Sequence, residues 1–140
     1  MPRPCKRRSG CPISIALDVL GDPWTLLVVR DLMFKGLRTF NEFQGAGEGI
    51  ASNILADRLA RLAVAGVLTK TKDAIDGRRM VYRLTRKGLD LAPVLIELVL
   101  WSDRYEDTAA PADTVALMRA DRPAVLADIR SRWAASRARR

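Results

Sequence analysis

Histidine is absent from this chain, and with it the commonest general base and the commonest imidazole ligand for a metal. Cysteine is scarce: Cys5 and Cys11 are the whole complement, too few to close a structural zinc site within one chain. No long apolar run exists either. The most hydrophobic stretch, Leu91 to Trp101, is interrupted by Pro93 and Glu97 and falls far short of the roughly 20 residues that span a bilayer. The basic N-terminal residues are not followed by an uninterrupted apolar segment and a small-residue cleavage site, so a secretory signal is not expected. The glycine-rich Gly45-Ala46-Gly47-Glu48-Gly49 lacks the Gly-Lys-Ser/Thr ending of a phosphate loop and follows a helical pattern, which reads as an inter-helix turn. An enzyme, a metal centre and a bound cofactor are therefore not expected, nor is a membrane partner.

What the chain does have is an apolar share of 49%, enough for a core, and a formal charge of +8. The excess gathers at the ends, as Arg3, Lys6, Arg7 and Arg8 in a basic arm over residues 1–10 and as Arg130, Arg132, Arg137, Arg139 and Arg140 near the C-terminus. Both clusters suit a polyanion, because each phosphate contact releases condensed counterions. Between them lies the most informative stretch, Ile50 to Thr85. Ala51 to Gly66 has helical periodicity, with Ala51, Leu55, Leu59, Leu62 and Ala63 on one side and Asn53, Ala56, Asp57, Ala60 and Arg61 on the other. Small residues such as Ala56 and Ala60 on the outer face let a helix approach a second surface closely, as a major groove about 12 Å wide requires. Gly66 ends the helix. Alternation from Val67 to Lys72 and from Met80 to Leu84 then predicts a two-stranded ribbon turning at Asp76-Gly77, with Arg78 and Arg79 at the loop tip.

Three helices are expected ahead of this block: Ile13 to Leu20, about Pro23 to Lys35 as the central buried one, and Phe40 to Gln44, which Thr39 and Glu42 cap with capping-box spacing. A short helix, a glycine turn and the Ala51 helix make a helix-turn-helix with the Ala51 helix as its recognition element. After the ribbon, Thr85 is expected to cap one long helix from Arg86 to about Asp107. Its Leu89, Ala92, Leu95, Ile96, Val99 and Leu100 supply a core stripe, while Leu91, Val94, Leu98 and Trp101 form a surplus one. Either a second copy of the chain or the C-terminal helices, Asp113 to Ala120 and Arg122 to Arg139, cover that surplus; Val115, Leu117, Val125, Leu126, Ile129 and Trp133 are available to pack. The fold class is thus mainly α with a small antiparallel β-wing, a winged helix-turn-helix followed by helices for dimerisation.

Cys11-Pro12, Gly21-Asp22-Pro23-Trp24-Thr25-Leu26-Leu27, Phe40-Asn41-Glu42-Phe43, Gly49-Ile50, Leu55-Ala56-Asp57-Arg58-Leu59, Gly66-Val67 and Tyr82-Arg83-Leu84-Thr85, in that order, resemble the HxlR-type transcriptional regulators, bacterial winged-helix proteins related to the MarR group. The resemblance covers about residues 11 to 105, which sets a DNA-binding and dimerisation domain at 11–107 and a helical extension at 108–140. It implies a homodimer on double-stranded DNA with an imperfect palindromic operator, recognition helices in successive major grooves, and wings on phosphates or the minor groove, in a cytoplasmic, nucleoid-associated protein. The implied dimer interface uses the first helix, through Leu17, and the helix after the wing, through Leu91, Val94, Leu98 and Trp101. Carried over by position, the DNA contacts are Thr39, Ser52, Asn53, Arg58, Arg61, Arg78 and Arg79. Arg58 has a structural ion pair as its alternative role, Ser52 stands in for a serine that many relatives carry at the Ala51 position, and Asp57 would repel phosphates unless it accepts from a cytosine amine. Cys11 matches a cysteine that some members use as a redox sensor, with Lys6, Arg7 and Arg8 near enough to favour its thiolate; its structural alternative is packing beside Pro12. The expected effector is an oxidant acting at Cys11 or, as a separate reading of the apolar Leu91 to Trp101 region, a small molecule in a pocket at the dimer interface. The alternative function is a nonspecific architectural nucleic-acid-binding protein whose tails carry the affinity.

Overall fold

The computed structural model describes residues 6–138, which form two compact units meeting between Gly88 and Leu89. Arg3, Cys5, Arg139 and Arg140 lie outside the described residues.

The first unit is built from helices α1 (Pro12–Leu20), α2 (Thr25–Met33), α3 (Phe40–Gln44) and α4 (Ser52–Val64), strands β1 (Leu68–Lys72) and β2 (Met80–Leu84), and a single turn of helix, α5 (Arg86–Leu89). Its core is the inner row of α4, Leu55, Leu59 and Leu62, packed with Val28, Val29 and Met33 of α2, Phe43 of α3 and Leu68 and Leu84 of the ribbon, all buried. Burying a leucine is worth about 1.5–3 kcal/mol, so the three α4 leucines hold that helix against the core. The stripe on α4 is narrower than its periodicity predicts. Ala51 is the N-cap, outside the helix, and Ala63 is exposed. α1 has no buried residue at all, leaving Ile13 and Leu17 in solvent.

The junction from α4 to β1 follows from one glycine. Gly66 has φ +76, the Gly66 amide donates to Ala63 O and the Val67 amide to Leu62 O. This pair of bonds satisfies two terminal carbonyls of α4 and turns the chain directly into the ribbon. Lys87 Nζ donates to a further carbonyl, that of Ala65, at 2.7 Å.

The strands pair antiparallel, Leu68 opposite Leu84, Lys70 opposite Tyr82 and Lys72 opposite Met80. One face therefore starts in the core at Leu68 and Leu84 and runs out to Lys72. β2 departs from simple alternation, since Val81 and Tyr82 are both buried. The Tyr82 amide donates to Arg38 O at 2.8 Å, so β2 is flanked on both edges. The expected tight turn at Asp76-Gly77 does not form: seven residues, 73–79, separate the strands, and Gly77 is not among the glycines with positive φ. Aspartate side chains shape this loop instead. Asp73 Oδ1 accepts from the Ile75 amide and Asp76 Oδ1 from the Arg78 amide.

The second unit comprises α6 (Ala92–Tyr105), α7 (Ala112–Ala120) and α8 (Arg122–Ala138), which pack on one another. The single long helix expected from Arg86 is broken at Asp90 and Leu91. Pro93 has no amide to donate and its ring would collide with the carbonyl of Leu89, so it takes a first-turn position in α6 and the chain restarts there. Thr85 still caps, but it caps α5, accepting from the Gly88 amide at 3.2 Å. α7 buries Val115 and Met118 where Leu117 was expected, and Leu117 is exposed; α8 buries Ile129, with Val125, Leu126 and Trp133 half-buried. α6 buries Ala92, Leu95, Ile96 and Leu100, yet Val94, Leu98 and Trp101 remain 43%, 43% and 66% exposed, and Leu91 is half-buried. Among the described residues no single helix is long and apolar enough to cross a membrane.

Candidate nucleic-acid interface

The helix-turn-helix begins with the cap of α3. Thr39 Oγ1 accepts from the Glu42 amide at 3.3 Å and donates to Glu42 Oε1 at 3.0 Å, while Glu42 Oε2 accepts from the Arg38 amide. Two donors at the start of α3 are thereby satisfied reciprocally. The Thr39 hydroxyl is committed to this box and the residue is buried, so the structure assigns it a cap and not a free group for a phosphate.

The glycine turn reaches α4 with Gly47 and Gly49 at positive φ, and Glu48 between them pairs with Arg30 of α2 at 2.8 Å. That bond fixes the turn to the central helix. Burial works against the Arg30 charge, but Glu48 and Asp31 outweigh it and raise the Arg30 pKa. α4 then starts without a side-chain cap, because Ala51 occupies the N-cap; Ser52 and Asn53 are its first two helical residues, both exposed. Ser52 therefore does not inherit the capping role.

Arg58 is drawn inward. Its side chain is only 19% exposed and its Nε lies 3.0 Å from Asp22 Oδ1. Asp22 itself gathers the start of α2: Oδ1 accepts from the Trp24 and Thr25 amides at 2.9 and 3.0 Å, and Oδ2 accepts from the Thr25 hydroxyl, which is buried. Burial alone raises the Asp22 pKa, yet the Thr25 hydroxyl, the Trp24 amide and the Arg58 guanidinium more than offset it and hold the carboxyl below its ordinary value of 3.8. One carboxylate thus caps α2 and tethers α4. The structure gives Arg58 the ion-pair role.

Asp57, one residue earlier, does not stand as a bare negative charge. Arg58 bonds to its Oδ2, and Arg61 Nε approaches the same oxygen at 3.0 Å. Asp22, Asp57, Arg58 and Arg61 form a charge-balanced chain along one side of α4. The outer row of Asn53, Ala56 and Ala60 is left exposed and slim.

On the wing, Arg78 is fully in solvent, with a side chain 98% exposed and Asp76 at a loose 3.8 Å. Arg79 is not at the tip. It is drawn to the base of the loop, where Nε donates to Asp73 Oδ2 at 2.9 Å. The Asp73 carboxyl is held low first by the Ile75 amide and then by Arg79. β1 adds two exposed cations, Lys70, which lies over the Tyr82 ring, and Lys72.

A three-helix arrangement, an exposed second helix and a cationic ribbon are the anatomy of a winged helix-turn-helix, and residues 19–110 match the family model described as HxlR-like helix-turn-helix. The chain belongs to this family. It is 34% identical over 99 residues to an uncharacterised HTH-type transcriptional regulator of Mycobacterium bovis, a match that covers 71% of this chain and 61% of that protein, so it spans about three-fifths of the relative's length. Among solved structures it is similar to PA1607, at 40% identity and TM-score 0.67 over 76% of this chain and 72% of the other. It is also similar to the redox regulator HypR in its oxidised form, at 26% identity and TM-score 0.62 over 70% of this chain and all of the other. α7 and α8 lie beyond the matched stretch of this HxlR-like chain.

Cys11 is exposed at the N-cap of α1. The structure uses Arg8 elsewhere, pairing it with Asp18 of α1 at 3.0 Å. The residues missed by sequence reasoning are Asp22, Glu48, Lys70 and Lys72. An aspartate just before Pro-Trp-Thr is itself a helix-start signal, and the alternation of β1 sets Lys70 and Lys72 on one face.

Asp22 gives this site an acid limb. Its lowered folded pKa means its contribution is complete above the unfolded value near 3.8 and is lost as pH falls through the folded value. In urea titrations, Asp22→Asn is expected to lose about 1–3 kcal/mol at pH 7, with the gap from the parent closing below pH 3.8. A constant gap from neutral to acid pH would exclude this role.

Proposed function

We propose that this HxlR-like chain is a sequence-specific, DNA-binding transcriptional regulator that acts as a homodimer. The observation that carries the reading is the outer surface of α4: Ser52 and Asn53 exposed at its start, Ala56 and Ala60 behind them, and the one carboxylate on that side held by two arginines. Such a surface fits a major groove without steric or electrostatic penalty. Asn53 matches the paired donor and acceptor of adenine N6 and N7. Lys72 and Arg78 supply sequence-tolerant phosphate contacts, and with Asn53 they divide the work into reading and gripping.

Homodimerisation is supported by apolar side chains that the monomer leaves in water. α6 carries Val94, Leu98 and Trp101 at spacings of four and three, one continuous stripe along a shallow groove, and α1 carries Ile13 and Leu17. α7 and α8 fold back on α6 but do not cover this stripe. Exposed rows of this kind are stabilised by a second copy, and a two-fold dimer matches a palindromic site with half-sites about 34–36 Å apart. Exposure of Cys11, together with the likeness to a redox regulator solved in its oxidised form, supports control by thiol oxidation.

Selection from a randomised duplex library is expected to enrich an imperfect palindrome. Asn53→Ala then loses discrimination at a single base pair in each half-site, by about 1–3 kcal/mol. Lys72→Ala weakens all duplexes alike and lowers the salt slope by about 0.9 per copy. Enrichment of no sequence would contradict specific binding and favour an architectural role. Light scattering is expected to give a dimer that Leu98→Asp converts to monomer, and a thiol oxidant is expected to weaken DNA binding by the parent and leave Cys11→Ser unchanged. A monomeric parent would refute the dimer, and equal oxidant sensitivity in both proteins would refute thiol control.

A further inference from the structure

We propose that Ile75 is a wedge, an aliphatic side chain that the wing loop holds out for insertion between base steps in the minor groove of bound DNA. This rests on the DNA-binding reading above. Ile75 is 98% exposed, the highest value among the exposed large hydrophobic residues described. The others on α1 and α6 have companions at helical spacing and read as faces for a helix. Ile75 has none and stands alone at the end of the ribbon.

The loop that carries it is built to hold it still. The Ile75 amide donates to Asp73 Oδ1 at 2.9 Å, the Arg78 amide to Asp76 Oδ1 at 3.1 Å and the Arg79 amide to Asp76 O at 3.0 Å. Asp73 closes the base twice, through its amide to Arg79 O at 2.8 Å and through its carboxylate to the Arg79 guanidinium. A loop ordered in advance loses little conformational entropy when it binds. Its charges also point to one class of partner. Asp73 is neutralised by Arg79, whereas Arg78 has only a distant, solvent-exposed contact with Asp76, an arrangement of little energetic worth that a phosphate readily replaces. Lys72 adds a further cation at the strand end. An apolar point that has Lys72 before it and Arg78 after it in the chain, with both loop carboxylates facing arginines, is compatible with a minor groove, whose rims are phosphates and whose floor is base edges. Aliphatic side chains entering there unstack a base step and kink the duplex, most readily at pyrimidine–purine steps.

The test uses the full chain and a duplex that the parent protein enriches from a randomised library, with 2-aminopurine replacing adenine at its pyrimidine–purine steps. Binding of the parent is expected to raise 2-aminopurine fluorescence at one step per half-site, the signature of unstacking. Ile75→Ser is expected to abolish that rise and bind about tenfold more weakly, with an unchanged thermal midpoint because the side chain packs against nothing. Ile75→Leu is expected to keep both signals. Equal fluorescence and affinity for the parent and Ile75→Ser, or binding by the parent with no rise at any step, would overturn the wedge while leaving DNA binding intact. If the parent binds no duplex, the DNA-binding reading fails and the wedge with it.

Discussion

The Asp22 carboxylate is the group on which the exposed helix depends. Its Oδ1 accepts the Trp24 and Thr25 amides at the start of α2 and lies 3.0 Å from Arg58 Nε of α4, while its Oδ2 accepts from the buried Thr25 hydroxyl. A cap alone would fix α2, and leucine burial alone would keep α4 against the core while leaving it some freedom to rotate or slide. The ion pair couples a position 36 residues upstream to the second turn of α4. The helix is thereby registered so that Ser52 and Asn53 face outward. Because the pair is four-fifths shielded from water, removing one partner strands the other in a poorly solvated site, so its loss exceeds the value of a surface salt bridge.

The same network resolves the electrostatics of the outer face. An aspartate on a surface meant for DNA is unfavourable when it stands alone, but Asp57 shares its oxygen with Arg58 and Arg61. Cations outside this network sit exposed on the ribbon, at Lys72 and Arg78. On the proposed reading, discrimination rests on α4 and affinity on the wing. The second unit contributes the uncovered apolar stripe of α6.

Much of this was legible in local pattern. The leucine row of α4, Gly66 as its terminator, the Thr39–Glu42 capping box and the surplus stripe of Val94, Leu98 and Trp101 each announce themselves within a few turns of chain. What escaped the sequence reading was either nonlocal or a competition between two local signals. Arg58 is pulled inward by Asp22, and nothing in the periodicity of α4 encodes a partner 36 positions away. Val81 and Tyr82 are both buried in a strand that bonds Arg38 along its free edge and contacts α2, which alternation cannot anticipate. At Pro93, by contrast, apolar periodicity argued for one continuous helix and the missing amide argued for a break, and the amide decided. Asp76-Gly77 is a turn dipeptide, but the side-chain caps of Asp73 and Asp76 stabilise a longer loop.

Asp22 and Arg58 act as one unit to fix the register of α4 on the core, and the outward presentation of Ser52 and Asn53 follows from it. A double-mutant cycle with Asp22→Asn and Arg58→Met measures it most directly, read both as urea stability and as discrimination between the selected duplex and a scrambled one. The expected result is a coupling of about 1–3 kcal/mol in stability, with each single variant losing discrimination before it loses nonspecific binding. Additive effects in both readouts would contradict it.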